Sequence, residues 1–465
     1  MSQVDYHIGG GLSREQLRRM HEAALDVLAE VGVDVSHSDL LSRVEGRTGL
    51  KVEGERVRFA PDLVEELVDE HRCRAATPAQ PAQQFTVEIL SGYAFQNLDA
   101  FTDELRPMGT AECIETARLV GALAEEGVVG GTPGLPQDVP EPLREVLAYR
   151  IGCEHSPTAG GAGFSSPAAA RAVCRMSQVV GADFEVSVFV LSPLRVEGST
   201  VSIALDFADR GIPARIAVYG MPILGLTTPL PLAGAFVEHV ATVLAGFTLF
   251  RLLGRSEELG FKFDVYPFDM KYGTIAYGTP EHVLAYLVGA QLNDYYGVST
   301  DACKAFHTNA LRPDAHALSQ RAAFGAVAAL NGARRFTYGG MLGIDKIFSA
   351  EQLLYDVEIV RYLEALVRGF AFDAEALAVD AIKEVGPGGD FITHPTTLRR
   401  FRGLWSSELF PNLSPEQWQQ RGRTEVKDRM RGRVRELLDG YDFALERDGA
   451  AEIERIYQAA VRELD

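Results

Sequence analysis

The chain has 465 residues, which is enough for a sizeable hydrophobic core and for two or three domains. Its hydrophobic content of 46% and charged content of 23% are ordinary for a globular protein. A formal net charge of −19, spread along the chain without an acidic tail, argues against nonspecific binding to nucleic acid or to an anionic membrane surface.

The same sequence indicates a soluble protein of a reducing compartment. No run of about 18 apolar residues appears, so no membrane span is expected. The N-terminal sequence MSQVDYHIGGGLSREQ lacks the apolar core of a signal peptide. The 5 cysteines are scattered without a CxxC pair, which argues against a disulfide scaffold and against a structural zinc site. We therefore expect a cytoplasmic protein.

Residues 1–110 predict a small α+β cap. In LSREQLRRMHEAALDVLAEVGV, Ser13 and Gln16 form a potential capping box, and apolar residues from Leu17 to Val31 recur at helical spacing. A second helix is predicted in VRFAPDLVEELVDEH, with Pro61 near its first position. Residues 78–110 have the pattern of irregular or strand-rich structure.

From residue 111 onward, short apolar runs alternate with helical stretches. The runs are GVVGGT (127–132), TAGGAGF (158–164), FEVSVFVLSP (184–193), PARIAVYGMP (213–222), LGFKFDVYP (259–267), YGVSTDA (296–302) and RRFTYGGML (334–342). The helical stretches are 167–180, 199–210, 231–253, 280–294 and 315–332. This alternation implies a parallel sheet covered on both faces, and the repeated units without a GxGxxG motif favour a (β/α)8 barrel.

The predicted organisation is an α/β fold of three parts. An N-terminal α+β cap covers 1–110, a TIM (β/α)8 barrel with the catalytic site covers 111–389, and a charged helical extension covers 390–465. The eighth strand of the barrel is the least distinct, and 376–386 is our candidate for it.

In a barrel of this kind the active site lies at the carboxyl ends of the strands. The side chains at or after these ends are mostly aromatic, with a few carboxylates, one lysine and one histidine. The candidates for substrate binding are Tyr219, Phe268, Asp269, Tyr272, Tyr277, Glu281, Lys304 and Tyr338, and those for catalysis are Asp301 and His307. Ring faces attract ammonium groups that cannot donate hydrogen bonds, so this composition suggests recognition of a cation.

Each candidate also has a purely structural interpretation. Tyrosines in a chain of this size mostly pack in the core. Glu281 follows Pro280 and would favour a helix N-terminus in any case, and His307 could be a satisfied structural histidine. The Cys-Glu-His sequence at 153–155 resembles part of a metal site, but so few potential ligands do not predict a bound metal.

Several long motifs occur in the order found in one known family. They are FTDELRPMGTAE, MPILGLTTPLPLAGAFVEHVATVLAG, YGTIAYGTPEH, STDACK, YGGMLGIDKIFSAEQLLYDVEIV and GPGGDFITHPTTLRRFR. With them the chain resembles the trimethylamine methyltransferase family over nearly its whole length. The resemblance implies a TIM barrel that passes a methyl group from a methylamine to the cobalt of a separate corrinoid protein.

The namesake enzymes carry pyrrolysine, whereas this barrel has standard residues only. The chain is therefore similar to the non-pyrrolysine branch, whose characterised members act on quaternary amines such as glycine betaine. The resemblance implies a methyltransferase that binds no cofactor tightly and uses cobalamin carried by a partner protein. It leaves a homo-oligomer open and implies neither nucleic acid nor membrane as a partner.

The chemistry of a quaternary amine suits a site without an evident nucleophile. When cobalt(I) attacks the methyl carbon, a neutral tertiary amine leaves, so no general acid is needed to protonate it. The uncharged stretch VYGMPILGLTTPLPLAG (218–234) would then form a dry wall near the methyl group and the docked corrinoid. Its structural alternative is a buried connection that packs the cap on the barrel.

Two other functions stay open. One is a divergent barrel with metal-assisted chemistry through His155 or His307, and the other is a non-catalytic protein that binds a quaternary amine. The segments 91–101, 301–313 and 394–397 depart from the usual pattern of the family, so the resemblance does not specify which amine is bound.

Overall fold

The computed structural model describes residues 2–75, 84–254, 259–298 and 301–464. Its first part combines three helices with short strands, of which β2, β3 and β4 form an antiparallel sheet. The elements are β1 (Ser2–Val4), α1 (Arg14–Glu30), β2 (Val33–Asp34), α2 (Ser38–Val44), β3 (Leu50–Glu53), β4 (Arg56–Phe59) and α3 (Pro61–Ala75).

The start of α1 confirms the predicted capping box. The backbone N–H of Gln16 donates to Ser13 Oγ at 3.2 Å, and the backbone N–H of Ser13 donates to Gln16 Oε1 at 2.8 Å. Pro61 is the first residue of α3, as predicted. Both helices thus begin where local sequence signals place them.

The middle of the chain alternates strands with helices. Its elements up to residue 252 are β5 (Thr86–Glu88), β6 (Gln96–Leu98), β7 (Leu105–Pro107), α4 (Thr110–Ala122), β8 (Val128–Val129), α5 (Arg144–His155), α6 (Pro167–Val180), β9 (Glu185–Val190), α7 (Ser199–Asp209), β10 (Arg215–Gly220) and α8 (Leu232–Leu252). Those that follow are β11 (Leu259–Phe261), β12 (Phe268–Asp269), β13 (Thr274–Ile275), α9 (Pro280–Tyr295), β14 (Ala302–Cys303), α10 (Ala315–Leu330), β15 (Arg335–Thr337), β16 (Met341–Leu342), β17 (Ile347–Ser349) and α11 (Ala350–Val367).

Parallel strands form the centre of the fold. In the described residues, β9, β10 and β11 make one parallel sheet, and β14, β15, β5 and β8 make another. The register of the second sheet pairs Arg335 with Thr86 and Phe336 with Val87. The predicted run at 158–164 contributes one parallel bridge, between Ala162 and Ser91, rather than a strand.

Strand β15, late in the chain, pairs with β5, which lies within the residues of the predicted cap (1–110).

The prediction of a strand at 376–386 is wrong, because a helix occupies Val379–Val385. This apolar stretch is too short for its residue spacing to distinguish a strand from a helix.

Helix α8 is the main core helix. It is long and apolar enough to cross a membrane by length and composition, but 78% of its apolar window is buried inside the protein. It packs against α1 on one side and against β10 and β11 on the other. Gly220 permits the close approach, because a Cβ at that position would lie 2.7 Å from His239 Cε1.

The C-terminal part is mostly helical. Its elements are β18 (Phe370–Phe372), α12 (Val379–Val385), α13 (Pro395–Arg400), α14 (Pro415–Gln420), α15 (Val426–Asp439) and α16 (Arg447–Leu464). Strand β18 pairs antiparallel with β1. Helix α15 packs on α4 and α11, and α16 packs on α5 and α6. These last two helices therefore form an outer layer on the helices α4, α5, α6 and α11.

Candidate active site

Lys304 lies at the centre of a polar cluster beyond the carboxyl ends of two strands. It follows β14 directly, and Asp264 and Tyr266 follow β11. Lys304 Nζ lies 3.1 Å from Asp264 Oδ2 and donates a hydrogen bond to the Tyr266 hydroxyl. The ammonium also lies 5.2 Å from the centre of the Tyr266 ring. The three side chains thus hold one another in place.

The charges in this cluster stabilise each other. Burial disfavours the ammonium, but the Asp264 carboxylate raises the pKa of Lys304 well above its ordinary value. Burial disfavours the Asp264 carboxylate in the same way, yet Lys304 and Lys262 lower the pKa of Asp264. Burial raises the pKa of Tyr266 to about 12. At neutral pH the site holds an ammonium, a carboxylate and a neutral phenol.

The cluster opens to solvent on one side. The side chains of Lys304 and Asp264 are 31% and 22% exposed, respectively. A cavity of about 20 Å³ is lined in part by Asp264, Tyr266, His282 and Lys304. This volume has room for about one water molecule. A larger ligand would therefore reach Lys304 from the open side.

Aromatic rings stack next to this cluster. The His307 ring lies 4.2 Å from the Tyr277 ring at an interplanar angle of 20°, and 3.8 Å from the Tyr338 ring at 35°. Tyr277 and His307 are 2% exposed, and Tyr338 is 8% exposed. Tyr93 meets the Tyr338 ring edge-on at 5.8 Å. The predicted residues Tyr277, His307 and Tyr338 therefore form one wall.

An aspartate lies behind the imidazole of this wall. Asp345 Oδ2 is 2.7 Å from His307 Nδ1, although neither this nitrogen nor Asp345 Oδ1 has a hydrogen bond of regular geometry. Burial lowers the pKa of His307, and the Asp345 carboxylate opposes this shift. At neutral pH His307 is therefore uncharged, so the pair carries the negative charge of the carboxylate.

The backbone around this wall adopts an uncommon conformation. Tyr338, Ile344 and Asp345 have φ angles of 69°, 58° and 62°. Residues other than glycine seldom adopt such angles, and those that do cluster at functional sites. This part of the chain follows β15, which pairs with β14, and Lys304 directly follows β14. The wall therefore lies next to Lys304.

The remaining predicted residues make other contacts. The Tyr219 hydroxyl donates to Glu185 Oε1 at 2.8 Å. Asp269 accepts hydrogen bonds from the backbone N–H groups of the next turn, and Phe268 is half-buried in the β12–β13 hairpin. Tyr272 is 71% exposed.

Two predicted carboxylates have structural positions. Glu281 is exposed in the first turn of α9, where a negative charge favours the helix N-terminus. Asp301 comes before β14 rather than after it, and its carbonyl accepts hydrogen bonds from the N–H groups of Arg334 and Arg335. It therefore lies at the amino end of the sheet, away from Lys304.

Sequence reasoning missed Tyr93, Asp264 and His282 as site residues. Asp264 had a signal, because it is a charged residue inside the apolar run LGFKFDVYP. His282 accepts a hydrogen bond from the Gly278 N–H at 3.2 Å, and burial lowers the pKa of His282 to about 3. Tyr93 is distant in sequence from the other residues and carries no local signal.

The uncharged stretch at 218–234 forms the end of β10, a loop and the start of α8. The Leu224 N–H donates to the Tyr266 carbonyl at 2.8 Å, and the Tyr266 N–H donates to the Pro222 carbonyl at 3.0 Å. The loop therefore continues the pairing of β10 with β11 into the segment after β11, which carries Asp264 and Tyr266. The loop thus helps to position Tyr266, and it also borders the site.

Large apolar side chains on this loop and on the β12–β13 hairpin are exposed. We call them the apolar rim: Met221, Leu226, Leu230, Met270 and Tyr272, which are between 45% and 71% exposed. The loop and the hairpin meet at Gly225, since a Cβ there would lie 3.0 Å from Leu230 Cδ1 and 3.1 Å from Met270 Cε. Large exposed apolar patches are typical of interaction surfaces.

The four described ranges contain no group of three or more His, Cys, Asp or Glu side chains that could hold a metal ion. Cys153 is buried, and His155 ends α5. The expected absence of zinc stays a prediction for metal analysis.

Comparison with known proteins gives relatives over almost the whole chain. The glycine betaine methyltransferase of Desulfitobacterium hafniense (strain Y51) is 25% identical over 447 residues, which cover 92% of each chain. The trimethylamine methyltransferase MttB of Desulfitobacterium hafniense (strain DSM 10664 / DCB-2) is 25% identical over 448 residues, covering 93% of this chain and 90% of the relative.

A solved structure has a similar fold at low sequence identity. The hydroxylamine complex of MtmB matches with a TM-score of 0.50 and 12% identity, covering 93% of this chain and 89% of the other. In addition, residues 7–455 match the family model described as trimethylamine methyltransferase (MTTB). The chain therefore belongs to the trimethylamine methyltransferase family.

Proposed function

We propose that this protein transfers a methyl group from a quaternary amine, glycine betaine or a similar betaine, to the cobalt(I) of a partner corrinoid protein. The observation that carries the proposal is the position of charged Lys304 beside the wall of Tyr277, His307 and Tyr338. A betaine has a carboxylate at one end and a quaternary ammonium at the other, which fits these two neighbouring surfaces.

We infer that the two parallel sheets are parts of one (β/α)8 barrel. Pairing β15 with β5 connects the last of these strands to the first, and the bridge between Ser91 and Ala162 brings 158–164 beside them. The eight segments in chain order would be β5, β8, 158–164, β9, β10, β11, β14 and β15. Their carboxyl ends then face one mouth, which is where such barrels have their active sites.

The carboxylate of the substrate would bind at Lys304 and Tyr266. Because the Tyr266 oxygen accepts from Lys304, its own O–H remains able to donate to a ligand. The ammonium of Lys304 has three N–H groups, of which Asp264 and Tyr266 engage two. Two donors, one of them charged, can therefore meet the carboxylate from the open side of the cluster.

The quaternary ammonium would lie against aromatic rings. It has no N–H, so its attraction comes from ring faces and from a carboxylate. Tyr277, Tyr338 and Tyr93 supply the rings, and Asp345 supplies the negative charge. Burial raises the pKa of Tyr277 and of Tyr338, so both phenols stay neutral.

The protein then needs only to bind, orient and exclude water. The cobalt(I) of the partner supplies the nucleophile, and the electron pair of the broken carbon–nitrogen bond stays on nitrogen in a neutral tertiary amine. His307 is uncharged and buried, in keeping with a leaving group that takes up no proton at this step. The apolar rim offers a dry contact for the protein that carries the corrinoid.

Methyl transfer to cob(I)alamin, followed by absorbance, tests the proposal. Glycine betaine, carnitine, proline betaine and trimethylamine are compared under the same conditions. We expect turnover of at least one betaine and none of trimethylamine. Turnover of trimethylamine alone would refute the quaternary-amine specificity, and binding of a betaine without turnover would favour the non-catalytic alternative.

A further inference from the structure

Arg321 of α10 and Asp356 of α11 form an ion pair in the interior of the protein, which we call the buried pair. Both side chains are 0% exposed, and Arg321 Nη1 donates a hydrogen bond to Asp356 Oδ2. Gln352, one helical turn earlier in α11, donates from Nε2 to Asp356 Oδ1 at 2.9 Å. A buried ion pair often stabilises a fold no better than apolar side chains of similar volume, because both charges lose their hydration. Stability alone therefore does not account for the buried pair.

The buried pair binds the backbone of residues 338–345, which we call the turn. The Gly340 N–H donates to Asp356 Oδ2 at 2.7 Å, and Arg321 Nη2 donates to the carbonyl of Met341. Burial raises the pKa of Asp356, whereas the charge of Arg321 and the hydrogen-bond donors around the carboxylate stabilise its charged form. Hydrogen bonds to charged groups are stronger than those between neutral groups. The turn is therefore fixed to α10 and α11 near its middle.

The turn needs such an attachment because its backbone is strained. Tyr338, Ile344 and Asp345 have φ angles in the left-handed region. Such angles cost free energy in residues other than glycine, and they persist only where the surrounding structure enforces them. Gly340, with a φ of 72°, is closely packed, since a Cβ there would lie 2.5 Å from Phe348 Cε2. Close packing and the buried pair together hold the turn in this conformation.

The turn carries the two residues that meet the His307 imidazole from one side of the chain. The Tyr338 ring lies 3.8 Å from the His307 ring, and Asp345 Oδ2 lies 2.7 Å from His307 Nδ1. The Ile344 N–H donates to the Thr308 carbonyl at 3.0 Å, so the turn is also joined to the segment that carries His307. A shift of the turn would therefore displace the Tyr338 ring and the Asp345 carboxylate from the imidazole together.

The charge of Arg321 also acts on this imidazole. The guanidinium carbon lies 5.4 Å from the ring centre of Phe306, the residue before His307. Burial lowers the pKa of His307, and the Asp345 carboxylate opposes this shift. The positive charges of Lys304 and Arg321 lower the pKa of His307 further. Arg321 thus supports the uncharged imidazole as well as the turn.

We propose that Arg321 and Asp356 are positioning residues for the ammonium end of the substrate. They hold the turn so that Tyr338 and Asp345 meet His307, and neither member of the buried pair touches the substrate itself. The inference deepens the proposed function and rests on it for the role of the aromatic wall. The position of the turn can be measured without substrate, so the two proposals can fail separately.

Two variants separate positioning from stability. Arg321→Met/Asp356→Val replaces the buried pair with apolar side chains of similar total volume, so it should retain much of the thermal stability that Arg321→Met alone loses. The double variant makes no contact to Met341 or to Gly340. Arg321→Lys is milder, because lysine keeps an ion pair with Asp356 but lacks the planar fork that also reaches Met341. Thermal unfolding identifies the variants that are folded.

The His307 imidazole reports the position of the turn by nuclear magnetic resonance. Protons that lie over the face of an aromatic ring resonate upfield, and His307 stacks on both Tyr277 and Tyr338. In protein with isotope-labelled histidine, His307→Gln assigns the His307 ring signal, which we expect upfield of that of the exposed His316. In both variants the His307 signal should move toward the His316 position, and further in the double variant than in Arg321→Lys.

Calorimetric titration with glycine betaine gives the second readout. We expect the double variant to raise the dissociation constant more than about tenfold, because the Tyr338 ring and the Asp345 carboxylate are displaced. Arg171→Met/Asp206→Val removes an ion pair between α6 and α7 with side chains 13% and 18% exposed. This matched control should leave the His307 signal and the dissociation constant unchanged.

The two readouts distinguish the possible failures. An unchanged His307 signal in folded Arg321→Lys and in the folded double variant would overturn the positioning role. A His307 signal that moves as expected, in a protein whose unmodified chain binds no betaine, would support the positioning role and refute the proposed function instead.

Discussion

Lys304 and Asp264 form a 3.1 Å ion pair that connects the residues after β14 and β11, which belong to different parallel sheets. Their side chains are 31% and 22% exposed, so the pair is open on one side. The Asp264 carboxylate keeps the Lys304 ammonium charged despite burial. The hydrogen bond to the Tyr266 hydroxyl fixes the direction of this ammonium. The pair therefore presents a positive charge of fixed position to a ligand that enters from the open side.

Replacement of Lys304 by methionine should weaken binding of the substrate carboxylate. Methionine keeps much of the side-chain volume but removes the charge, and a hydrogen bond to a charged group contributes about 1.5–3 kcal/mol. We expect the KM for glycine betaine to rise by about 10- to 100-fold. Steady-state methyl transfer to cob(I)alamin measures the change.

Tetramethylammonium separates this effect from general damage to the site. It has no carboxylate, so its turnover in Lys304→Met should change much less than that of glycine betaine. Lys271→Met, on the hairpin between Asp269 and Tyr272, is the matched control variant. Equal losses with both amines would contradict a role of Lys304 in carboxylate binding.

Removal of the Tyr277 ring should weaken binding of the ammonium end. Cation–π contacts contribute about 0.5–2 kcal/mol each, so Tyr277→Ala should raise the dissociation constant of a betaine by roughly 10-fold. Tyr277→Phe keeps the ring that stacks on His307 at 4.2 Å. This variant should therefore change the dissociation constant by less than about twofold. Calorimetric titration measures both, and an equal loss in the two variants would assign the effect to the hydroxyl.

Changes in the apolar rim should affect the partner protein more than the substrate. Leu226 and Leu230 are 57% and 65% exposed, so Leu226→Ser/Leu230→Ser should leave the fold intact. We expect kcat/KM for a corrinoid protein to fall about tenfold through loss of apolar contact, with little change for free cob(I)alamin. An equal fall of kcat/KM with both acceptors would indicate that the apolar rim contributes to substrate binding and not to docking of the corrinoid protein.

Stability should fall in mild acid because two histidines are buried in the neutral form. Burial lowers the pKa of His239 and of His282 to about 3, whereas the unfolded value is about 6.5. Between these values the unfolded chain binds protons that the folded chain does not bind. The free energy of unfolding therefore decreases as the pH falls, by about 1.4 kcal/mol per pH unit for each histidine.

Urea unfolding at pH 7 and at pH 5 measures this dependence. In His239→Gln one titrating group is removed, so the difference between the two pH values should become smaller. His316→Gln is a control, because His316 is exposed at the start of α10. A variant of His239 with the same pH dependence as the unmodified chain would contradict the prediction.

Local sequence determined the features that depend on neighbouring residues. Ser13 with Gln16, and Pro61, set the starts of their helices because a cap needs only the first turn. The alternation of apolar runs and helices predicted parallel strands, and β9 and β10 are among them. The predicted residues Tyr277, His307 and Tyr338 stack together next to Lys304, and Lys304 and Tyr338 directly follow the parallel strands β14 and β15.

The tertiary structure alone decided what depends on pairing between distant segments. Strand β5 joins β15 across about 250 residues, and nothing in its three residues indicates that partner. The start of β14 at Ala302 leaves Asp301 at the amino end of this strand, although a strand ending three residues earlier would have placed Asp301 beyond its carboxyl end. Hydrogen-bonding register and burial of the whole sheet set these positions, and they also bring Asp264 and Tyr93 into the site.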